Sequence, residues 1–228
     1  MTNSTEDNGL KRSDEPDEDI PDRNLFMMCQ ALNTDAISAL PDEYHVRTCR
    51  KDELELWKAM HFDTPEEATV YQEYMTDFFT RVYAPKGNLF FETCLFVCDE
   101  RDTPIASAFI WKVHGSFNTI HWLKVIKAYE GQGIGRALLS IIMQDIKKTG
   151  YPVYLHTQPA SYRAIKLYSD FGFHLLSDPM IGHRKNDLQE CLPILKKYMT
   201  KADFANLQTT TAPSHFLKVL EDARDSQF

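Results

Sequence analysis

The sequence predicts an α+β domain with a central, mostly antiparallel mixed sheet flanked by helices. Three observations carry that reading. Strand-like runs at 89–98, 105–113 and 119–126 follow one another across short turn-prone stretches at 99–103 and 114–118, as in an antiparallel meander. Apolar residues then recur at helical spacing over 134–148 and 161–171. Short strands at 152–156 and 173–176 follow those two helices, which makes the order mixed.

The other elements follow in chain order. Residues 1–24 hold eight acidic and three basic side chains and almost nothing apolar, so they read as a disordered acidic arm. From 25 to 40 the apolar residues Leu25, Met28, Cys29, Leu32, Ala36, Ile37 and Leu40 recur as on a helix. Residues 44–50 alternate as a short strand, and 52–60 look helical. Thr64 caps a second helix with Pro65 in its first turn, and Ala84-Pro85-Lys86-Gly87 ends it near Tyr83. After Gly172 the strand at 173–176 precedes a further short strand near 181–184 and an amphipathic helix at 188–199. These elements give one domain at 25–200 with its core at 44–185, and a polar tail at 201–228 with one helix near 215–223.

Composition narrows the function classes. A hydrophobic share of 43% supports a packed interior, whereas a net charge of −8 argues against a nucleic-acid surface, which needs clustered Lys and Arg. Five cysteines (29, 49, 94, 98 and 191) form no CxxC pair or Cys/His cluster, so no metal is expected. Only Cys94 and Cys98 are close, and residues four apart on a strand are poorly placed for a disulfide. Buried free thiols in a reducing compartment are expected. No signal segment and no long apolar run is present, which points to a cytoplasmic protein without a membrane span.

The chemistry concentrates at Glu130-Gly131-Gln132-Gly133-Ile134-Gly135-Arg136, between a strand and a helix. Glycines at 131, 133 and 135 let consecutive backbone N–H groups curl into an anion nest, and the helix start adds unpaired N–H groups and its positive dipole end. That describes a pyrophosphate site, with a plain glycine turn as the alternative. A dinucleotide fingerprint would need glycine where Arg136 stands, and a nucleotide-triphosphate loop would need Gly-Lys-Ser/Thr, which is absent.

Together with Leu123-Lys124-Val125 before it, this segment resembles the pyrophosphate motif of the GNAT superfamily of N-acetyltransferases. The family typically has Arg or Gln where Glu130 stands; a carboxylate cannot donate to phosphate, so Glu130 should point away. Residues 161–173, Ser-Tyr-Arg-Ala-Ile-Lys-Leu-Tyr-Ser-Asp-Phe-Gly-Phe, are similar to the family's second motif, with Ser161 in place of the usual Asn. The resemblance implies a GNAT fold, acetyl-CoA as co-substrate, and acetyl transfer to a primary amine by direct attack in a ternary complex. It implies that Leu123, Val125, Gly131, Gln132, Gly133, Ile134, Gly135, Ser161 and Tyr168 border the acetyl-CoA. A backbone N–H near Val125 would hold the oxyanion, and Tyr168 would protonate the departing thiolate. Arg136, in the turn itself, is assigned to binding, and Lys166 to a solvated helix face.

His121 is the candidate base. It lies two residues before Leu123, which on a regular strand puts it on the face of Leu123 and Val125. Glu92, His156, a water chain or a purely structural histidine are the alternatives. Tyr71, Tyr74, Met75, Phe78, Phe79 and Val82, on the helix that runs to Tyr83, are candidates for the acceptor pocket. The acceptor itself, a small-molecule amine or a peptide or protein amine, is open, as is assembly into a homodimer. A non-catalytic acyl-CoA sensor or scaffold of the same fold is the competing reading.

Overall fold

A computed structural model describes residues 20–223 and residue 227. The acidic arm over 1–19 lies outside the described residues. An eight-stranded sheet organises the molecule. Its strands in chain order are β1 (Leu25–Cys29), β2 (His45–Thr48), β3 (Leu95–Cys98), β4 (Pro104–Val113), β5 (Phe117–Val125), β6 (Val153–Thr157), β7 (Phe173–Leu176) and, after a two-stranded hairpin, β10 (Thr209–Thr210). The hairpin is β8 (Met180–Ile181) with β9 (Arg184–Lys185). Across the main sheet the order is β10-β7-β1-β6-β5-β4-β3-β2. All neighbours are antiparallel except β5 with β6 and β7 with β10.

The meander is present, but several segments differ from expectation. The 25–40 stretch opens as a strand, β1, antiparallel to both β6 and β7. A central strand is buried on both faces, so its apolar residues run without interruption, and that run mimics one helical turn. Leu25, Met27 and Cys29 face one side, and Phe26 and Met28 the other. The 89–98 stretch divides into a helix, α4 (Leu89–Thr93), and β3. There Phe90 is driven into an aromatic cluster while the chain turns at Cys94.

Helices cover both faces. On one lie α5 (Ile134–Gln144), α6 (Tyr162–Asp170) and α7 (Leu188–Tyr198), which bury Leu138, Ile165 and Leu195 against Leu25, Ala106 and Leu155. On the other lie α1 (Leu54–Ala59), α2 (Pro65–Val70), α3 (Gln72–Phe78) and α4, around Trp57, Met75, Tyr83 and Phe90. Thr64 caps α2 as expected, accepting from the Glu67 N–H at 3.2 Å. The single helix expected to run on to Tyr83 instead breaks at Tyr71 and widens over Phe79–Tyr83.

Residues 201–222, read from sequence as a tail, belong to the folded unit. After α8 (Lys201–Ala205), β10 extends the sheet, and α9 (Ser214–Asp222) lies on the aromatic face. Phe216 stacks flat on Tyr154, ring centroids 3.7 Å apart.

One turn depends on glycine. Gly172, ending α6 at φ +92°, brings its α-carbon so close to the β1 exit that a Cβ would stand 2.8 Å from the Ala31 carbonyl oxygen. That backbone is pinned by the Asn33 N–H donating to the Phe171 carbonyl at 3.1 Å. Gly172→Ala should therefore cost about 1–3 kcal/mol of strain, read as a lower urea midpoint at unchanged slope.

Candidate active site

Strands β5 and β6 are the only parallel neighbours in the centre of the sheet, and they pair only at Asn118–Val153 and Thr119–Tyr154. Beyond those pairs β5 runs on to Val125 and β6 to Thr157 without bonding each other. Among the described residues, that edge of β5 from Ile120 onward has no strand partner, so its main-chain groups are free for another molecule.

A bulge sits beside this gap. The β4–β5 register passes from Phe109–His121 to Ser107–Lys124, two steps on β4 against three on β5. Trp122 absorbs the extra residue at φ +53°. A bulge resets the alternation of side chains, so His121 and Leu123 no longer share a face. His121 turns to the aromatic layer with Trp122, whereas Leu123 and Val125 face the layer of α5 and α6. The expectation that His121 shares the face of Leu123 and Val125 is thereby corrected.

At the end of β5 the chain makes one turn at Lys127–Tyr129 and enters the glycine segment. Gly131 and Gly133 adopt φ of +78° and +83°, and a Cβ on either would meet nothing within 4 Å. Left-handed backbone, not crowding, selects glycine here, and the concave side of the turn is open. Gly135 differs: its Cβ would sit 3.4 Å from Val125 Cγ2 and 3.8 Å from Leu167 Cδ2, so it lets α5 approach the strand end and α6. α5 begins at Ile134, and its first N–H groups have no partner within the helix.

The side chains around the turn are largely committed. Gln132 accepts from the Tyr44 hydroxyl at 2.6 Å. Glu130 points to Arg163, 3.3 Å away. The Arg136 guanidinium pairs with Asp170, donates to the Ala36 carbonyl at 3.2 Å and lies over the Phe171 ring. Its side chain thus ties α5 to α6, which leaves the backbone N–H of Arg136 for the binding role expected of it. Lys166 joins the same Asp170 at 2.6 Å. Asp170 organises this pair; its contact with Lys166 is one helical turn away, whereas its contact with Arg136 spans thirty-four residues and leaves no local signal.

Tyr168 is buried against the same helical layer, with Phe173 as ring neighbour at 5.8 Å. Its hydroxyl has no hydrogen-bond partner among the described residues, and burial holds the phenol well above its ordinary pKa. Ser161 is exposed at the start of α6 and makes no side-chain cap.

On the opposite face, the Trp122 indole Nε1–H donates to the Tyr83 hydroxyl at 2.9 Å, and that hydroxyl meets His121 Nδ1 at 2.5 Å. Burial lowers His121 to about 3. Trp57 packs edge-on against Tyr83, Phe90, Trp122 and His61. Neither Tyr83 nor Trp122 is marked as functional by the sequence, where Tyr83 serves only as the end of a helix. The rival bases lie apart from this group. Glu92 is exposed on α4. His156 meets Arg184 Nη2 at 2.7 Å, and burial together with that guanidinium lowers it to about 3.

His121 and His156 thus stay neutral in the fold, whereas unfolded histidine takes a proton near 6.5. Their depressed folded pKa values give stability that is present above about pH 6.5 and lost as pH falls toward 3. At pH 5 each should cost about 1–2 kcal/mol relative to pH 7.5, visible as a lower urea midpoint.

All five cysteines are buried. Burial raises Cys94 well above the ordinary thiol range and Cys98 to about 11, so neither is poised as a nucleophile. Among the described residues one grouping has metal-ligand character, His45, Cys98 and Asp102 at the outer sheet edge. Its carboxylate already carries Arg47 at 2.6 Å and Arg50 at 2.7 Å, which disfavours a cation.

A parallel pair that opens into a gap therefore lies beside a bulge and a glycine turn leading into a helix. The acetyltransferase (GNAT) family model matches residues 54–173, and the chain belongs to that family. The matched stretch runs from α1 to the first residue of β7. Solved structures with a similar fold include a tandem GNAT protein from the clavulanic acid biosynthesis pathway, at TM-score 0.50 and 12% identity, over 68% of this chain and 50% of that one. A GCN5-related N-acetyltransferase from Sphaerobacter thermophilus gives 0.44 and 16%, over 68% and 49%. A Drosophila protein gives 0.43 and 17%, over 68% and 48%. The chain spans about half the length of these structures. At 12% identity the likeness to the tandem GNAT protein concerns the fold alone. A search of curated protein sequences finds no match. Among the described residues no helix is long and apolar enough to cross a membrane.

Proposed function

We propose that the chain transfers an acetyl group from acetyl-CoA to a primary amine by direct attack. The observation that carries this is the coincidence of the β5–β6 gap with the open glycine turn at the head of α5. In this reading the backbone N–H groups of Gly131, Gln132, Gly133, Ile134, Gly135 and Arg136 hold the pyrophosphate. The free edge of β5 at Leu123 and Val125 takes the pantetheine arm as an added strand would, and Ser161 lies near that arm. An N–H at Val125 receives the oxyanion as the amine nitrogen bonds to the thioester carbon. As the C–S bond breaks, Tyr168 supplies the proton to sulfur; the proton lost by the amine passes to water, from which the Tyr168 phenolate is reprotonated. The raised cysteine thiols favour this route over an acyl-enzyme.

The test begins with acetyl-CoA binding by calorimetry, followed by thiol release across a panel of small amines and amine-bearing peptides. Release that depends on the amine supports the reading. Tight binding with no release for any amine would instead favour the sensor or scaffold. In the same titration Gly133→Val should weaken binding at least about tenfold, roughly 1.4 kcal/mol, because a β-branched residue resists φ +83° and obstructs the open turn.

A further inference from the structure

We propose that Tyr83 is a positioning residue that holds His121 as a neutral imidazole with its proton on Nε2, a hydrogen-bond donor and not a base. The tautomer stands on geometry alone; that it bars His121 from serving as the base of the transfer rests on the acetyl-transfer reading.

The hydrogen-bond inventory carries the first part. An indole Nε1–H only donates, so the Tyr83 oxygen must accept from Trp122 at 2.9 Å. The remaining contact of that hydroxyl among the described residues is His121 Nδ1 at 2.5 Å. Tyr83 is 0% exposed, so water does not reach it. Were Nδ1 to carry the proton, the Tyr83 O–H would be a buried donor with no acceptor, an arrangement folded proteins avoid. The O–H therefore donates to Nδ1, fills the only free lone pair of the ring and leaves the proton at Nε2. The bulge fixes this geometry, because Trp122 at φ +53° is what brings indole and imidazole to the same face.

The surroundings do not supply a charge that would reverse it. Cys94 and Tyr74 lie near Tyr83, and both act to raise it. On the far side of Trp122 stands His61, whose Nε2 is buried without a partner, and beyond it Lys124 pairs with Asp63 at 2.5 Å. His121 feels burial as its cause of shift.

The experiment is long-range nitrogen–proton correlation NMR of the histidine rings in the full chain, from pH 5 to 9, with His121 assigned by substitution. The wild-type ring should show protonated Nε2 and bare Nδ1 throughout, without titrating. Tyr83→Phe removes only the hydroxyl, so the ring should lose its fixed tautomer and begin to titrate at higher pH. Trp122→Phe is the second variant; it removes the indole donor but gives the Tyr83 O–H no new acceptor, so the Nε2-protonated ring should persist, and a ring protonated on Nδ1 would overturn the proposal. A wild-type His121 protonated on Nδ1, one titrating near 6.5, or a Tyr83→Phe ring unchanged in both respects would overturn the proposal. Absence of turnover with every amine would sink the acetyl-transfer reading, while the spectrum would still decide the tautomer.

Discussion

Tyr168→Phe is expected to lower kcat by about 10²–10⁴-fold, the range that general acid catalysis supplies, with acetyl-CoA binding and folding little altered. The substitution is unusually clean. Tyr168 is 6% exposed and its ring packs in the helical core, so phenylalanine keeps the burial. Its hydroxyl has no partner among the described residues, so its removal orphans nothing there. Burial also keeps the phenol protonated beyond the ordinary tyrosine range, and its proton remains available throughout the pH range in which a thiolate would leave. A pH–rate profile should therefore show no limb from Tyr168 below pH 10 in the wild type. Thiol release at saturating amine and acetyl-CoA gives the comparison, and full turnover by the variant would remove Tyr168 from the chemistry.

Trp57→Ala should cost about 3–5 kcal/mol, a large share of what a single domain possesses. Trp57 is fully buried, and its ring lies 4.8 Å from Phe90, 5.9 Å from both Tyr83 and Trp122, and 5.0 Å from His61. Truncation would open a cavity whose walls are other aromatic rings, which cannot collapse without moving the bulge. Urea unfolding measures the loss; a cost below about 1 kcal/mol would mean that the cluster repacks freely. Trp57→Phe should cost less, because the indole N–H has no partner among the described residues and its removal offsets part of the lost contact.

What could be read from the sequence was local. The glycine turn announces itself because Gly131 and Gly133 meet a conformational demand within four residues, and the α6 motif followed by Phe173–Leu176 is equally contiguous. Segments buried on both faces were misread, since a central strand such as Leu25–Cys29 loses the alternation that marks a strand. A short apolar helix such as Leu89–Thr93 shows no full helical period, so it passes for a strand. Long-range partners left no trace: Arg136 finds Asp170, and His121 finds Tyr83, across more than thirty residues. The bulge was invisible for another reason. Tryptophan at positive φ follows no sequence preference and is fixed only by the packing of the completed layer.

The placement of β1 has a consequence for anyone who would trim this protein. The stretch matching the family, 54–173, contains the gap, the turn and Tyr168, yet it omits the strand seated between β6 and β7. Excised at those limits, the module would carry a raw flank of unpaired amides along β6, open to any chain able to add a strand. The smallest portable unit is therefore set by sheet closure and must begin before Leu25.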